Sequence, residues 1–471
     1  MASVAAPTSS LADLLPPDDP SSWPQTDILD LLALSHRDYF PLQVAALRHR
    51  FEQLSGGVAA LDKLAKRQGV TRVDSVSDAL PLFFDHRVYK SYPLAIIEQR
   101  DLGKLTGWLN RLTTHDLSAM SLGGLTTIDA WLSRLEEFGM LVGHSTGTTG
   151  KLSFIPRSRS EFPAWERAYN EGNRATTGVD PRTEPVVTFF PGYRGGHHMM
   201  LKMLSLFGVP AAGGPENFHT LYPSYISADL SSLAGRMQSA EDRGELNRLG
   251  LDPALIEARQ MLIEQGRRRA QDTEAWFFKL IEEFRGKRVK IGGTGADLVR
   301  TAKTGLEKGM RPSFAPGSFI MTAGGLKGYK DAPEDWEAYV QDYFGVDRIG
   351  SIYGMSEGMG IMPRCSHKHY HIPPYVLAVL LDADMNELPR EGSQTGRFAF
   401  FDLLAETYWG GFTSGDKVTI HWEEDCPCGW KGARVGPEIV RFSELEGGDD
   451  KISCSGSAQA YNEFMDYVSQ I

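Results

Sequence analysis

The stretch that most constrains this chain is residues 143–153, GHSTGTTGKLS. A hydrophobic run from Phe138 to Val142 leads into a loop made almost wholly of glycine and small hydroxyl residues. Gly147 and Gly150 admit backbone angles closed to other residues and let the chain pass close to a bound anion. Successive N–H groups in such a loop can point inward together and cradle phosphate oxygens. Ser145, Thr146, Thr148 and Thr149 add hydroxyl donors, and Lys151 adds a positive charge. The loop is not the nucleotide pattern of Gly, four residues, then Gly-Lys-Ser/Thr. Ser145 and Leu152 stand where that pattern needs glycine and a hydroxyl residue. The plain alternative is a polar surface loop.

Composition narrows what the loop can serve. A chain of 471 residues suggests two or three packed units. Its 41% hydrophobic and 10% aromatic residues are globular values. The net charge of −11, with no basic stripe, argues against a nucleic-acid partner. No apolar run is long enough for a membrane span, and the N-terminus lacks the basic and apolar regions of a secretory signal. Four cysteines in so long a chain are no disulfide framework. A cytoplasmic protein is expected.

Residues 1–25, rich in Pro, Ser and Asp, are expected to form a mobile tail. From Ile28 to about Gln68, and again over 101–140, leucines recur at helical spacing. After the loop, PVVTFF (185–190), RVKIGG (288–293) and SFIMTAGG (318–325) read as strands, the last two breaking at glycines, with helical patterns over 252–285 and 331–345. Strand, glycine turn and helix in repetition predict a mostly parallel α/β sheet with ligands at the strand ends. From Tyr375 the texture turns β-rich, as in a smaller barrel-like subdomain spanning about 375–440.

Two further motifs and a cysteine set follow. RIGSIYGMSEGMG (348–360) runs from a short strand into Tyr353-Gly354-Met355-Ser356-Glu357, and Thr413-Ser414-Gly415-Asp416 precedes the strand KVTIHW. Cys365-Ser-His-Lys-His-Tyr-His371 is followed by Cys426-Pro-Cys428-Gly. Three thiolates and an imidazole make the Cys₃His set that Zn²⁺ favours in closed structural sites. Among the histidines, His371 is preferred and His369 and His367 are rivals. The alternative is four reduced cysteines beside a surface histidine run.

Ser145 to Lys151 resemble, without a gap, the phosphate loop of the adenylate-forming superfamily, S/T-S/T-G-S/T-T-G-K-P-K. Leu152 and Ser153 replace its proline and second lysine. YGMSE resembles that superfamily's YG-x-T/S-E motif, and TSGD its T-G-D. The resemblance implies that Ser145, Thr146, Gly147, Thr148, Thr149, Gly150 and Lys151 hold ATP phosphates. It places Tyr353 and Gly354 against adenine, Ser356 near the α-phosphate, Glu357 on Mg²⁺ and Asp416 on the ribose hydroxyls, where a carboxylate suits a diol. GGDDKISCSG (447–456) resembles the family hinge, with Asp450 at its centre and Arg441 as a substitute for the ribose-binding arginine. Phenylacetate–CoA ligase-like members carry a similar C…H…C-x-C cluster, which favours His371.

The chain is most similar to the acyl-protein synthetase family, through FFDHRVYKSYP, AGGLKGYK (323–330), YGMSEG, HIPPYV and GRFAFFDL. The fold implied is a large adenylating domain over 26–440 and a hinge with a truncated C-terminal segment over 441–471. The C-terminal domain and late lysine usual in the superfamily are absent from the 15 residues after Gly456. Lys327 is the first candidate for that lysine's work, ahead of Lys151, Arg194, Lys202 and Lys330. Cys454, near the chain end, resembles the acyl-carrying cysteine of that family; its thiolate could attack an acyl-adenylate. His198, beside His197, lies where related enzymes line the acyl pocket.

These readings imply ATP- and Mg²⁺-dependent activation of a carboxylic acid, fatty or aryl, with structural zinc. The acyl group would pass to Cys454, to a partner or carrier protein, or to CoA. Alternatives are an acyl- or aryl-CoA ligase, an amide synthetase, and a non-catalytic member of the fold that binds a nucleotide or docks a partner.

Overall fold

The computed structural model describes residues 10–145, 151–242, 244, 253–322, 324–326, 328–423, 425–445 and 456–470. The chain divides into two compact units. One comprises residues 144–152 and 173–352, the other residues 1–143, 153–172 and 353–471.

The unit of residues 144–152 and 173–352 is built on parallel strands: β1 (Val187–Gly196), β2 (Phe218–Ile226), β3 (Val289–Gly293), β4 (Phe319–Thr322) and β5 (Ile349–Tyr353). Their order is β2-β1-β3-β4-β5, with Val187 opposite Val289, Ile291 opposite Ile320, and Ile320 opposite Ile349. Side chains alternate across a strand, so Phe189, Val289, Ile291 and Ile320 share one core. Phe277 and Ile281 from the helix Pro253–Glu283, Leu298 and Val299 from Gly295–Glu307, and Val340 and Phe344 from Trp336–Phe344 cover it. Thr294 caps the second of these helices by accepting from the Asp297 N–H. Gly345, at φ 64°, ends the third in the left-handed conformation.

Two parts of this sheet differ from expectation. The strand expected to end at Phe190 runs on through PGYRGG to Gly196. Its partner there is β2, whose Pro223 and exposed Tyr225 hid it from a strand reading. A strand at the sheet's edge tolerates proline because one row of N–H groups has no partner to serve.

In the other unit an antiparallel sheet is formed by β6 (Tyr370–His371), β7 (Val376–Leu381), β8 (Ser393–Asp402), β9 (Gly411–His421) and β10 (Arg434–Arg441), ordered β6-β10-β9-β8-β7. Phe84–Asp85 adds to β9 in parallel, Phe84 opposite Phe412. The β-rich texture from Tyr375 onward is this sheet. Helices His36–Leu54 and Ala59–Gln68 belong to the same unit.

The N-terminal end corrects the sequence reading. Residues 10–25 are no mobile tail, because Leu15 and Trp23 are fully buried and the Trp23 indole donates to the Pro16 carbonyl at 2.9 Å. Pro and Ser composition suggested a solvated segment, but two large apolar anchors suffice to hold it, each worth about 1.5–3 kcal/mol when buried. Past the expected hinge, the helix Ala458–Ser469 packs into this unit. Phe464 stacks on Phe84 at 5.7 Å, the Tyr461 hydroxyl donates to Asp85 at 2.9 Å, and the Ser457 N–H donates to Gln68 at 2.9 Å. Asp450 and Cys454 lie outside the described residues.

Candidate functional site and metal centre

Three of the sequence-predicted residues meet in one hydrogen-bonded chain. The Tyr353 hydroxyl donates to Asp416 Oδ2 at 2.8 Å, and Arg441 Nε donates to Asp416 Oδ1 at 3.0 Å. Register makes this possible: Asp416 on β9 lies opposite Arg441 on β10. Asp416 is buried, while Arg441 is exposed on the same carboxylate. Ser414 fixes the turn by accepting from the Asp416 N–H and donating to the Phe398 carbonyl. Burial, and the Asp416 carboxylate next to it, hold the Tyr353 phenol well above its usual range, so Tyr353 stays a donor.

Beyond Tyr353 the chain turns through Gly354, Met355, Ser356 and Glu357. Glu357 is half-buried, and among the described residues it takes part in no salt bridge. Burial raises its carboxyl above the usual value; the charges of Arg157 and Arg441 oppose that and Asp416 adds to it. A desolvated carboxylate without an ion-pair partner suits a divalent cation, so these residues fit a Mg²⁺ site.

The sequence reading missed the residues underneath. Asp402 and Glu161 are buried carboxylates that burial pushes upward, each offset by hydrogen bonds. Glu161 accepts from the Ser158, Glu406 and Thr407 N–H groups and the Thr407 hydroxyl. Asp402 accepts from the Met359 and Leu404 N–H groups. A capping-box signature, Ser158 with Glu161, was readable; nothing in the sequence pairs Asp402 with Met359, 43 positions away.

The strand Gly143–Ser145 leads into the glycine- and threonine-rich stretch 146–150. The His144 N–H donates to the His197 carbonyl at 2.9 Å, and the His144 and His198 rings meet edge-to-face at 5.5 Å. His198 is therefore fixed to the loop's entrance, and burial lowers its pKa. Ser145 and Lys151 are half-buried. Thr146, Gly147, Thr148, Thr149 and Gly150, like Lys327, lie outside the described residues. Of the other candidate cations, Arg194 donates to the Phe218 and Pro215 carbonyls and Lys202 is buried.

The cysteine set converges as its spacing implied. The ligand atoms of Cys365, His371, Cys426 and Cys428 all lie within 4.8 Å of one another. Cys365 Sγ is 3.9 Å from Cys426 Sγ, and Cys428 Sγ is 3.5 Å from His371 Nε2. A tetrahedral zinc would place sulfurs about 3.8 Å apart and sulfur and nitrogen about 3.5 Å apart. His371 Nδ1 faces the Lys431 carbonyl at 3.4 Å, which favours the tautomer with its Nε2 lone pair toward the sulfurs. Its rival His369 instead packs against His421 at 5.4 Å. Without a cation, burial raises the Cys365 thiol and pushes Cys428 up to about 12; a dication reverses that cost by binding thiolates. On β6, His371 serves this cluster while its neighbour Tyr370 lies 5.9 Å from the Tyr353 ring.

No family model and no curated protein matches this chain. Among solved structures it is similar to an open conformation of 2-hydroxyisobutyryl-CoA ligase in complex with 2-HIB-AMP and CoA, at 11% identity over 86% of this chain and 71% of that one, with a TM-score of 0.47. It is also similar to an amide bond synthetase from Marinactinospora thermotolerans, at 13% identity, 63% and 49% coverage and a TM-score of 0.33. A third is the luciferase-like enzyme of the nonluminescent mealworm Zophobas morio, at 14% identity, 65% and 58% coverage and a TM-score of 0.34. The chain thus spans about half the length of the second and somewhat more of the third. No helix among the described residues is long and apolar enough to cross a membrane.

Glu357 carries a stability cost with a definite sign. Its folded pKa is raised, so above the ordinary carboxylate value of about 4.3 the unfolded chain releases the proton first. Stability therefore falls as pH rises through the folded value. Without nucleotide or metal, Glu357→Gln will melt higher than the native protein near neutral pH, with the gap closing toward about pH 4. Melting curves across that range check this; equal or lower midpoints at neutral pH contradict it.

Proposed function

We propose that this protein activates a carboxylic acid, fatty or aryl, as an acyl-adenylate and passes the acyl group to a thiol. The observation that carries this reading is the hydrogen-bonded chain Tyr353–Asp416–Arg441, together with Glu357, which takes part in no salt bridge among the described residues. An aromatic face, a buried diol acceptor and a cation-ready carboxylate are the donor set that an adenosine phosphate needs. Tyr353 offers its ring to adenine. Asp416 has about four lone-pair directions, and its two partners use only two, leaving acceptors for the ribose hydroxyls. Ser356 faces the α-phosphate. Ser145, the loop 146–150 and Lys151 take the remaining phosphates, and Glu357 would hold Mg²⁺, which supplies positive charge between phosphate oxygens.

The acid's carboxylate oxygen attacks the α-phosphorus, and the bond to the bridging oxygen breaks to release pyrophosphate. Two anions must approach, so fixed donors that need no reorganisation are the main requirement. His198, held by the loop entrance, orients the carboxylate, and Lys327 is the proposed cation at the reacting centre. A thiolate then attacks the acyl carbon and AMP leaves. Cys454 is the first candidate acceptor, then a thiol on a carrier or partner protein, then CoA. Zinc held by Cys365, His371, Cys426 and Cys428 has a structural part, holding β6 and with it Tyr370 against Tyr353. A cytoplasmic setting, where thiols stay reduced, suits both uses of cysteine.

Acid-dependent exchange of labelled pyrophosphate into ATP, across fatty, aryl and amino acids, tests this reading. We expect exchange with one acid class and a loss of about a hundredfold or more in Glu357→Ala. No exchange with any acid contradicts adenylation.

Metal analysis gives an independent check. The purified protein should carry an equivalent of zinc, lost in Cys428→Ser together with several degrees of melting temperature. Full zinc content in that variant would place the metal elsewhere.

A further inference from the structure

Six backbone groups between Met355 and Met359 are tied down, four of them by side chains outside the motif. Arg157 Nη2 donates to the Ser356 carbonyl at 2.6 Å and to the Gly358 carbonyl at 2.7 Å. The Tyr408 hydroxyl lies 3.3 Å from the Glu357 carbonyl and 3.4 Å from Asp402 Oδ2. Asp402 accepts the Met359 N–H, and the Gly358 N–H closes a turn onto the Met355 carbonyl. Glu357 thus projects from a loop whose carbonyls on either side point at one guanidinium.

Arg157 is fully buried, an unusual place for a charge. Its guanidinium stacks on Trp165 at 4.5 Å and lies 6.0 Å from the Tyr408 ring. Its charge acts on Asp402 and on Glu357, drawing both carboxyls toward the ionised form. Its backbone is fixed too: the Arg157 carbonyl accepts the Leu141 N–H at 2.7 Å. A fully buried arginine that gives two bonds to carbonyls flanking one acidic residue does more than fill space. It sets where that residue points.

We infer that Arg157 is a positioning residue for Glu357, with Tyr408 and Asp402 completing the clamp. The inference rests on the reading of Glu357 as the cation ligand. Partners of a metal's ligands typically alter its affinity by about 10- to 100-fold when removed. The clamp prearranges Glu357, so the loop need not order itself when the cation arrives. Arg157 is fully buried and acts through the loop that carries Glu357, so its loss should act on cation affinity and leave the KM for the acid nearly unchanged.

The test compares the native protein with Arg157→Gln, Arg157→Lys and Tyr408→Phe. Binding of Mn²⁺ in the presence of ATP is followed by electron paramagnetic resonance, and hydrogen exchange is followed in the peptide around 353–362. Arg157→Gln should weaken Mn²⁺ about tenfold or more and speed exchange in that peptide. Arg157→Lys restores the charge but not both carbonyl bonds, so its Mn²⁺ affinity should lie between. Tyr408→Phe removes one hydroxyl, keeps the ring, and should shift Mn²⁺ affinity in the same direction by a few-fold. Unchanged Mn²⁺ affinity in folded Arg157→Gln or in Tyr408→Phe overturns the inference. Absence of Mn²⁺ binding by the native protein, or its persistence in Glu357→Ala, overturns the reading of Glu357 beneath it instead.

Discussion

The interaction on which the proposed chemistry depends is the carboxylate of Asp416, buried and shared between a tyrosine hydroxyl and an arginine. A buried charge is tolerated only when its lone pairs are used. Here one partner is the residue that closes β5 and the other sits across the antiparallel ladder on β10. The arrangement fixes the turn at 413–416 against Tyr353. Tyr370, on the two-residue strand that also carries His371, backs the Tyr353 ring from the side of the cysteine cluster.

Below this lies a layer of buried charge that contributes little to stability by itself. Arg50, Arg157, Glu161 and Asp402 are each almost fully removed from water. Arg50 donates to the Leu403 carbonyl and pairs with Glu406, and Glu161 receives the N–H groups of Glu406 and Thr407. An apolar replacement of such a network is often neutral or stabilising, whereas losing one member is costly. Its use here is directional: it holds the 402–408 segment, and through it the loop that presents Glu357. The raised carboxyl of Glu357 belongs to the same trade: a desolvated carboxylate costs stability.

What could be read from the sequence follows how locally each feature is encoded. YGMSE, TSGD and the C-P-C knuckle place chemistry-bearing residues within a few positions, so pattern and chemistry identify them together. The strands Val289–Gly293 and Phe319–Thr322 were readable because apolar runs end at glycines there. Arg157 was not, since its partners are 199 and 201 positions away and no local pattern marks it. The edge strand Phe218–Ile226 was hidden by its proline and its half-exposed face. The N-terminal stretch looked mobile from composition, yet Leu15 and Trp23 are fully buried. A few large apolar side chains outweigh a polar average.

The most direct measurement of the central claim is calorimetric binding of a hydrolysis-resistant acyl-sulfamoyl adenosine, a mimic of the acyl-adenylate, to the native protein and to Asp416→Ala. The account predicts tight binding that the substitution weakens by at least about a hundredfold, because it removes the acceptor of the ribose hydroxyls and leaves Arg441 without its carboxylate. Binding of equal strength in both proteins, or none in the native one, would contradict it.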